Sequence, residues 1–280
     1  MDWFTDHKLP IGRWIADLVD LLNTHAAGFF RFVSDTLGGA VEWLSDLLLA
    51  INPFVLIVIL AAIAYAARRR LSVAIGTLLG LLLILNLGYW EETVQTLVLV
   101  IVATVVCLLI GVPIGIAASR RRWVYPTIQP VLDLMQTIPT FVYLIPTLIL
   151  FGLGVVPGLI STVIFALPAP IRLTYLGLKG VPHELKEAGE AFGATRNQLL
   201  WRVELPAAMP SIMAGLTQCI MLSLSMVVIA ALVGADGLGK PVVRALNTVN
   251  IAMGFEAGLA IVILAIILDR TLKLAEPKAR

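Results

Sequence analysis

The chain has 280 residues, 59% of them hydrophobic and only 14% charged, with a mean hydropathy of +0.96. Soluble domains run at about 45 to 50% apolar and 25% charged, so a water-solvated globule is excluded and lipid must surround most of the length. Twenty Lys and Arg against 18 Asp and Glu leave a net charge of +2, which offers no electrostatic footprint for a nucleic acid.

Residues 1–50 form an amino-terminal region of their own. It opens on the polar run MDWFTDHK, so it lacks the basic start and apolar stretch of a cleavable signal. Ile11, Trp14, Leu18 and Leu22 recur at helical spacing, and Phe30, Val33, Leu37, Val41, Leu44 and Leu48 do so again. These predict two amphipathic helices along the outer membrane interface, with docking of a partner protein as the alternative use. Gly38 and Gly39, each costing a helix about 1 kcal/mol, predict a kink in the second.

Charge-free stretches then mark the membrane crossings, since a helix needs about 20 apolar residues to span a bilayer. They lie between Asp46 and Arg68, Arg70 and Glu91, Glu92 and Arg120, Asp133 and Arg172, Glu204 and Asp236, and over 250–268. The fourth stretch is long enough for two spans, with a tight turn in GLGVVPG (Gly152 to Gly158), which brings the expectation to about seven transmembrane helices. The fold class is therefore an all-α polytopic membrane protein. Residues 51–90 supply two accessory spans, 91–270 a core, and 271–280 a tail. With the amino terminus outside, Arg68 to Arg70, Arg120 to Arg122, the segment from Arg172 to Arg202 and the tail place 15 of the 20 Lys and Arg on the cytoplasmic face.

The longest polar stretch of that face follows the fifth span. Pro182 opens it, Gly193 interrupts it and Pro206 closes it, while Leu185, Ala188, Ala191, Phe192, Leu199, Leu200 and Val203 keep helical spacing. Two short helices meeting at a bend around Gly193 are expected within 180–206. Glu187, early in the first of them, suits the positive end of the helix dipole. Gly189 and Gly193 remove bulk where two backbones approach.

Catalytic chemistry finds no support. GADGLGK (Gly234 to Lys240) fits G-x-x-x-x-G-K, but Pro241 stands where a Mg²⁺-binding Ser or Thr is required, and no strand precedes it. His7, His25 and His183 are scattered without partners at ligand spacing, so no metal site is expected. Cys107 and Cys219, far apart in apolar runs, read as buried small side chains.

Prolines 139, 146, 157, 168 and 170 fall in or beside the fourth and fifth spans, where a lost backbone hydrogen bond is tolerated only against protein or a cavity. Around Pro139 stand Gln136, Thr137, Thr140, Phe141 and Tyr143. Aromatic faces attract a cation, at roughly 0.5 to 2 kcal/mol each. Phe141 and Tyr143 are thus candidates for a transient substrate contact or for helix packing. Asp133, three residues past Pro130, is expected at a helix start, where the dipole favours an acid. Glu256, about 10 Å into the last span, is open to pairing with Arg244 or to a place in the pathway's outer vestibule.

The segment Glu187, Ala188, Gly189, Gly193, Val203, Leu205 and Pro206 resembles the EAA signature of ATP-binding-cassette (ABC) importer permeases, E-A-A-x-x-x-G-x9-I-x-L-P, with Gly for the third residue and Val for the Ile. MQTIPTFVYLIP, FALPAPIRLTYLG, LPAAMPSIMAG, LSLSMVVIA and ILAIILDR look like the permeases of glycine betaine, proline betaine and choline importers, over roughly 90–270. The resemblance implies the type I importer permease fold in a bacterial inner membrane and a role in osmoprotection. It implies a homodimer, two copies of a separate ATPase holding ATP and Mg²⁺ and gripping the cytoplasmic hairpin, and an extracytoplasmic binding protein that delivers a quaternary-ammonium solute (glycine betaine, proline betaine, choline or carnitine). No cofactor is implied on this chain. A Gly-rich GLG loop after the sixth span is common in that family, which makes 234–240 a tight turn or outer gate. A carrier driven by an ion gradient is disfavoured, because the third, fifth and sixth spans hold no charge and no internal repeat is visible.

Overall fold

The computed structural model describes residues 10–272, and every regular element among them is helical. The amino-terminal region is one long helix, α1 (Ile11–Leu49), broken at Ala26, whose φ of −118° and ψ of 18° leave the helical range. That break separates the two amphipathic stripes. The kink expected at Gly38 and Gly39 is absent: Gly38 is buried, and a Cβ there would stand 3.2 Å from Val156 Cγ2, so this glycine admits a neighbouring helix. Before the break Trp14, Ile15, Leu18 and Leu22 are exposed, whereas after it Val41 is buried, with Leu37, Leu44 and Leu48 packed around the same core.

Helix α2 (Pro53–Arg68) leaves α1 at 106°. Asn52 accepts from the Phe54 N–H and Pro53 occupies the first turn, where its missing donor is harmless. Helix α3 (Leu71–Asn86) packs against α2, and α4 (Trp90–Arg120) crosses the whole molecule in 31 residues. Helices α5 (Val124–Thr137) and α6 (Thr140–Phe151) meet at 98°. Helices α7 (Val155–Ala166) and α8 (Pro168–Lys179) run on as one span of 25 residues. After α9 (His183–Ala191), helix α10 (Arg196–Leu199), a π turn (Leu200–Glu204) and α11 (Leu205–Ala231) form a continuous 36-residue run. Helices α12 (Gly239–Thr248) and α13 (Ile251–Leu272) complete the described chain.

Among the described residues four runs, Trp90–Arg120, Val155–Lys179, Arg196–Ala231 and Ile251–Leu272, are individually long and apolar enough to cross a membrane; counting each of the bent pairs α1–α2 and α5–α6 as one span brings the number to six, against the seven expected, and α3 is apolar but shorter. At 1.5 Å per residue α2 and α3 are each about 24 Å long, less than a hydrocarbon core of about 30 Å. The turn expected across GLGVVPG is confined to Gly152 and Gly154, whose φ values of +79° and +135° favour glycine; Pro157 and Gly158 already belong to α7.

The core is built on α4, α7–α8 and α11. Val98, Leu99, Ala103, Leu159, Val163, Ala166, Ala230 and both cysteines are buried together. Cys107 and Cys219, 112 positions apart in the chain, are both free thiols buried in this core, and the Cys107 thiol donates to Val163 O at 3.6 Å. Glycines set the spacing of this bundle: a Cβ at Gly111 would lie 2.9 Å from Pro170 Cγ, at Gly115 2.6 Å from Thr174 Cβ, and at Gly177 2.7 Å from Ser211 Cβ. Small residues bring helices close where lipid supplies no hydrophobic drive between them. A second cluster joins α2, α3, α4, α11 and α13 through Leu56, Ile57, Leu81, Ile84, Val100, Leu224 and Leu264.

Candidate functional site

The polar island is a helical hairpin that projects beyond the bundle. Pro182 precedes α9, which buries none of its residues. At its end the chain reverses: Gly193 takes φ +76°, its N–H donates to Glu190 O at 2.8 Å, and the Ala194 N–H donates to Gly189 O at 3.1 Å. This pair of bonds is a Schellman motif, which needs a left-handed residue where Gly193 stands. Thr195 then caps α10 in a reciprocal box, accepting from Gln198 N–H at 3.3 Å while its own N–H donates to Gln198 Oε1 at 2.8 Å.

The two glycines therefore serve different ends. Gly189 is the close approach, for a Cβ there would lie 2.7 Å from Leu199 Cδ1 and 3.5 Å from Val203 Cγ2. Gly193 has nothing within 4 Å, so its need is conformational and not the bulk removal expected of it. Lys186 reaches Glu204 at 3.6 Å, tying α9 to the π turn, and Arg120 donates to Arg196 O at 3.0 Å, tying the hairpin to α4. Leu178, Val181, Leu200, Leu205, Ala208 and Ile212 bury its root. Pro206 does not close the segment. The helix passes through it because the preceding turn is widened, the Leu205 N–H donating to Leu200 O five residues back.

At the free end Phe192 is 94% exposed, beside Ala188 and Glu187, which are exposed too. Glu187 Oε1 lies 3.1 Å from His183 Nδ1 one turn earlier, leaving the carboxylate open to a partner. Phe192 reads as part of a helical stripe in the sequence, yet it lies one residue beyond the helix and faces solvent. A bare phenyl ring on a rigid, polar, protruding turn marks a contact surface.

The second candidate cluster surrounds the α5–α6 bend. Pro139 opens α6, and Tyr143, 9% exposed, donates its hydroxyl to Met135 O at 2.6 Å and approaches Leu134 O at 3.3 Å. Leu134 O still accepts from the Ile138 N–H at 3.1 Å, but the helical partner of Met135 O would be Pro139, which has no N–H, so Tyr143 satisfies that carbonyl and braces the bend. Phe141, Thr137 and Thr140 remain at least partly exposed, as does Gln136. Tyr143→Phe is expected to lower the midpoint of thermal unfolding by the equivalent of about 1 to 2 kcal/mol, the cost of leaving a buried carbonyl unpaired. An unchanged midpoint in a scanning thermal assay would remove the brace.

Asp133 is not at a helix start. It is the tenth residue of α5, and its carboxylate pairs with Arg172 on α8 at 2.5 Å, so the two charges that bound the fourth stretch meet as its hairpin returns. Glu256 makes no ion pair with Arg244 among the described residues; it faces Tyr89. Burial, then the charges of Glu256 and Glu92, push the Tyr89 phenol up from its ordinary value. In GADGLGK, Gly234 and Gly237 have φ of +94° and +115°, Asp236 pairs with Lys240, and the Leu238 N–H donates to Thr96 Oγ1 at 2.8 Å. It is a tight turn pinned to α4. Among the described residues no three His, Cys, Asp or Glu are grouped as a metal would require.

A tightly packed helical bundle in lipid, with broken helices in its wall and one rigid hairpin standing clear of it, defines a membrane transport subunit. The chain belongs to the family of binding-protein-dependent transport system inner membrane components, whose model matches residues 108–280. It is 47% identical over 263 residues to the glycine betaine transport system permease protein OpuAB of Bacillus subtilis, covering 94% of this chain and 93% of that one. Identity is 45% over 278 residues to the glycine betaine/carnitine transport permease protein GbuB of Listeria monocytogenes, covering 97% of each chain. It is 42% over 270 residues to the glycine betaine/proline betaine transport system permease protein ProW of Escherichia coli, covering 96% of this chain and 76% of that one. Among solved structures, an inward-facing MetNI methionine ABC transporter matches with a TM-score of 0.56 and 24% identity, over 62% of this chain and 88% of that one. The fold is that of a type I ABC importer permease. The chain is a multi-pass inner-membrane permease subunit.

Proposed function

We propose that this permease carries a quaternary-ammonium compatible solute, of the glycine betaine, proline betaine, choline or carnitine class, into the cell at the expense of ATP hydrolysed on a separate subunit. The observation that carries the coupling half is the hairpin: two short helices locked by a Schellman turn and a capping box, with Phe192 at the tip. The extent of identity to betaine permeases supports the cargo. In this reading two ATPase copies, which hold the ATP and Mg²⁺, grip the hairpins of two permease copies, and an extracytoplasmic binding protein delivers the solute. The face bearing Arg68 to Arg70, Arg120 to Arg122 and the hairpin is cytoplasmic, and the amino terminus is outside. The division into 1–50, accessory helices 51–90 and a core 91–270 follows the same reading.

Glu187, Ala188, Gly189, Gly193, Val203, Leu205 and Pro206 transmit the stroke, with Phe192 added as the anchor. Gln136, Thr137, Thr140 and Phe141 face the pathway at the bend that Tyr143 positions, and Glu256 belongs to the outer end. The test is glycine betaine uptake into vesicles holding the permease, the ATPase and the binding protein. Phe192→Ala is expected to weaken ATPase association about 30-fold or more, as loss of a buried aromatic anchor costs about 2 kcal/mol or more. Wild-type association in that variant would remove the anchor, and accumulation of betaine by the permease alone would overturn the coupling.

A further inference from the structure

A cavity of about 410 Å³ lies outside both candidate sites. It opens between α3 and α13 and is walled by Val73, Gly76, Gly80, Ile263, Ile266 and Ile267, with Thr77 part-way down and Ser72 and Arg270 at one end. Two glycines shape it differently. At Gly80 a Cβ would lie 2.8 Å from Ile263 Cγ2, so α3 and α13 close on one another there; at Gly76 nothing lies within 4 Å, and the helices part. From Ser72 to Gly80 the groove runs about 12 Å along α3. That takes it from the basic face toward mid-membrane.

Its mouth is built for an anion. Arg270 lines it, Arg69 and Arg70 precede α3 and are exposed, and α3 begins with no side-chain cap and no acid in its first turn. The free N–H groups of such a helix start favour negative charge. Further in, Thr77 is only 2% exposed and makes no hydrogen bond among the described residues, although it lines the groove. A buried hydroxyl beside an apolar trough needs an acceptor.

We infer that this groove binds one anionic phospholipid, its phosphate at Arg270 and the α3 start, an ester carbonyl within reach of the Thr77 hydroxyl, and an acyl chain along Gly76. A basic pocket between membrane helices recognises a negative headgroup, and the apolar trough takes the chain. The site holds the accessory helix α3 to α13 and does not depend on which solute is carried.

The test uses the full-length permease purified in mild detergent and titrated with phosphatidylglycerol or phosphatidylcholine of matched chains, bound lipid being counted by native mass spectrometry. Phosphatidylglycerol is expected to be retained in preference, with about fivefold weaker retention in Arg270→Ala, the effect of one basic residue at an anionic headgroup. Gly76→Leu, which fills the trough without meeting another atom at its Cβ, is expected to lose the bound lipid. Val73→Phe fills the same trough from its other lining position and serves if the first variant fails to fold. Equal retention of phosphatidylcholine would overturn the headgroup assignment, and undiminished lipid in the filled variants would overturn the groove.

Discussion

Gly193→Val is expected to cut coupled uptake at least about tenfold while leaving the permease folded in the membrane. The residue holds φ +76° with open space around it, so a larger side chain meets no neighbour; what it meets is its own backbone. A left-handed conformation costs an L-residue about 1 to 2 kcal/mol, and a β-branched one more. The hairpin relieves that cost by giving up the turn, and with it the two bonds to Glu190 O and Gly189 O that orient α9 against α10. Phe192 then points elsewhere. Gly193→Asn, which tolerates the left-handed region, is expected to retain most of the uptake. Measuring betaine uptake and ATP hydrolysis in the assembled transporter separates the cases: full uptake by the valine variant removes the mechanical role, and an asparagine variant as poor as valine removes the backbone explanation.

Much of the membrane frame is legible in the sequence because charge is so costly in lipid. The intervals between Glu92 and Arg120 and between Glu204 and Asp236 contain α4 and α11 within a few residues, and the double span between Asp133 and Arg172 turns at Gly152 and Gly154. Features set by a distant partner are not legible. Gly38 reads as a helix weakness, yet Val156, more than a hundred residues on, explains it. Pro206 reads as a terminator, and a π turn absorbs it. Asp133 reads as a dipole partner, and Arg172 claims it. For Gly38 and Asp133 local propensity is real but a tertiary contact outweighs it, whereas at Pro206 a local change of helix winding does.

The helical hairpin is the more legible of the two candidate clusters, because its geometry is local. The bend at Gly193 and the opening Pro182 follow from residue types, and the Thr195 to Gln198 box carries a T-x-x-Q signal that places the second helix start. Phe192 needs one fact the spacing does not hold, that α9 ends at Ala191 and turns its next side chain outward. The bend cluster is harder. Tyr143 and Phe141 are two residues apart and equally aromatic, and only the folded bend decides that one hydroxyl is engaged and the other ring is free.

A large loss of stability is expected from Gly115→Val. A Cβ at this position would stand 2.6 Å from Thr174 Cβ and 2.8 Å from Ile171 O, and the second of these is backbone that cannot rotate away. Helices α4 and α8 would have to separate along a seam that also includes Gly111 against Pro170, and overpacking of this kind costs about 1 to 3 kcal/mol or more. In lipid no hydrophobic drive re-closes the gap, because acyl chains fill it as well as a side chain does. Gly258→Ala is the contrast: with nothing within 4 Å of its Cβ, it is expected to be neutral or to gain up to about 1 kcal/mol in helix propensity. Cys107 and Cys219, both free and buried, supply the measurement, since a thiol-reactive dye reports their exposure on heating. A transition well below wild type for Gly115→Val, and one at or above it for Gly258→Ala, is the expected pair. A wild-type transition in the valine variant would mean that close approach at Gly115 does not hold α4 to α8, and that the bundle's spacing is set by the larger side chains around it.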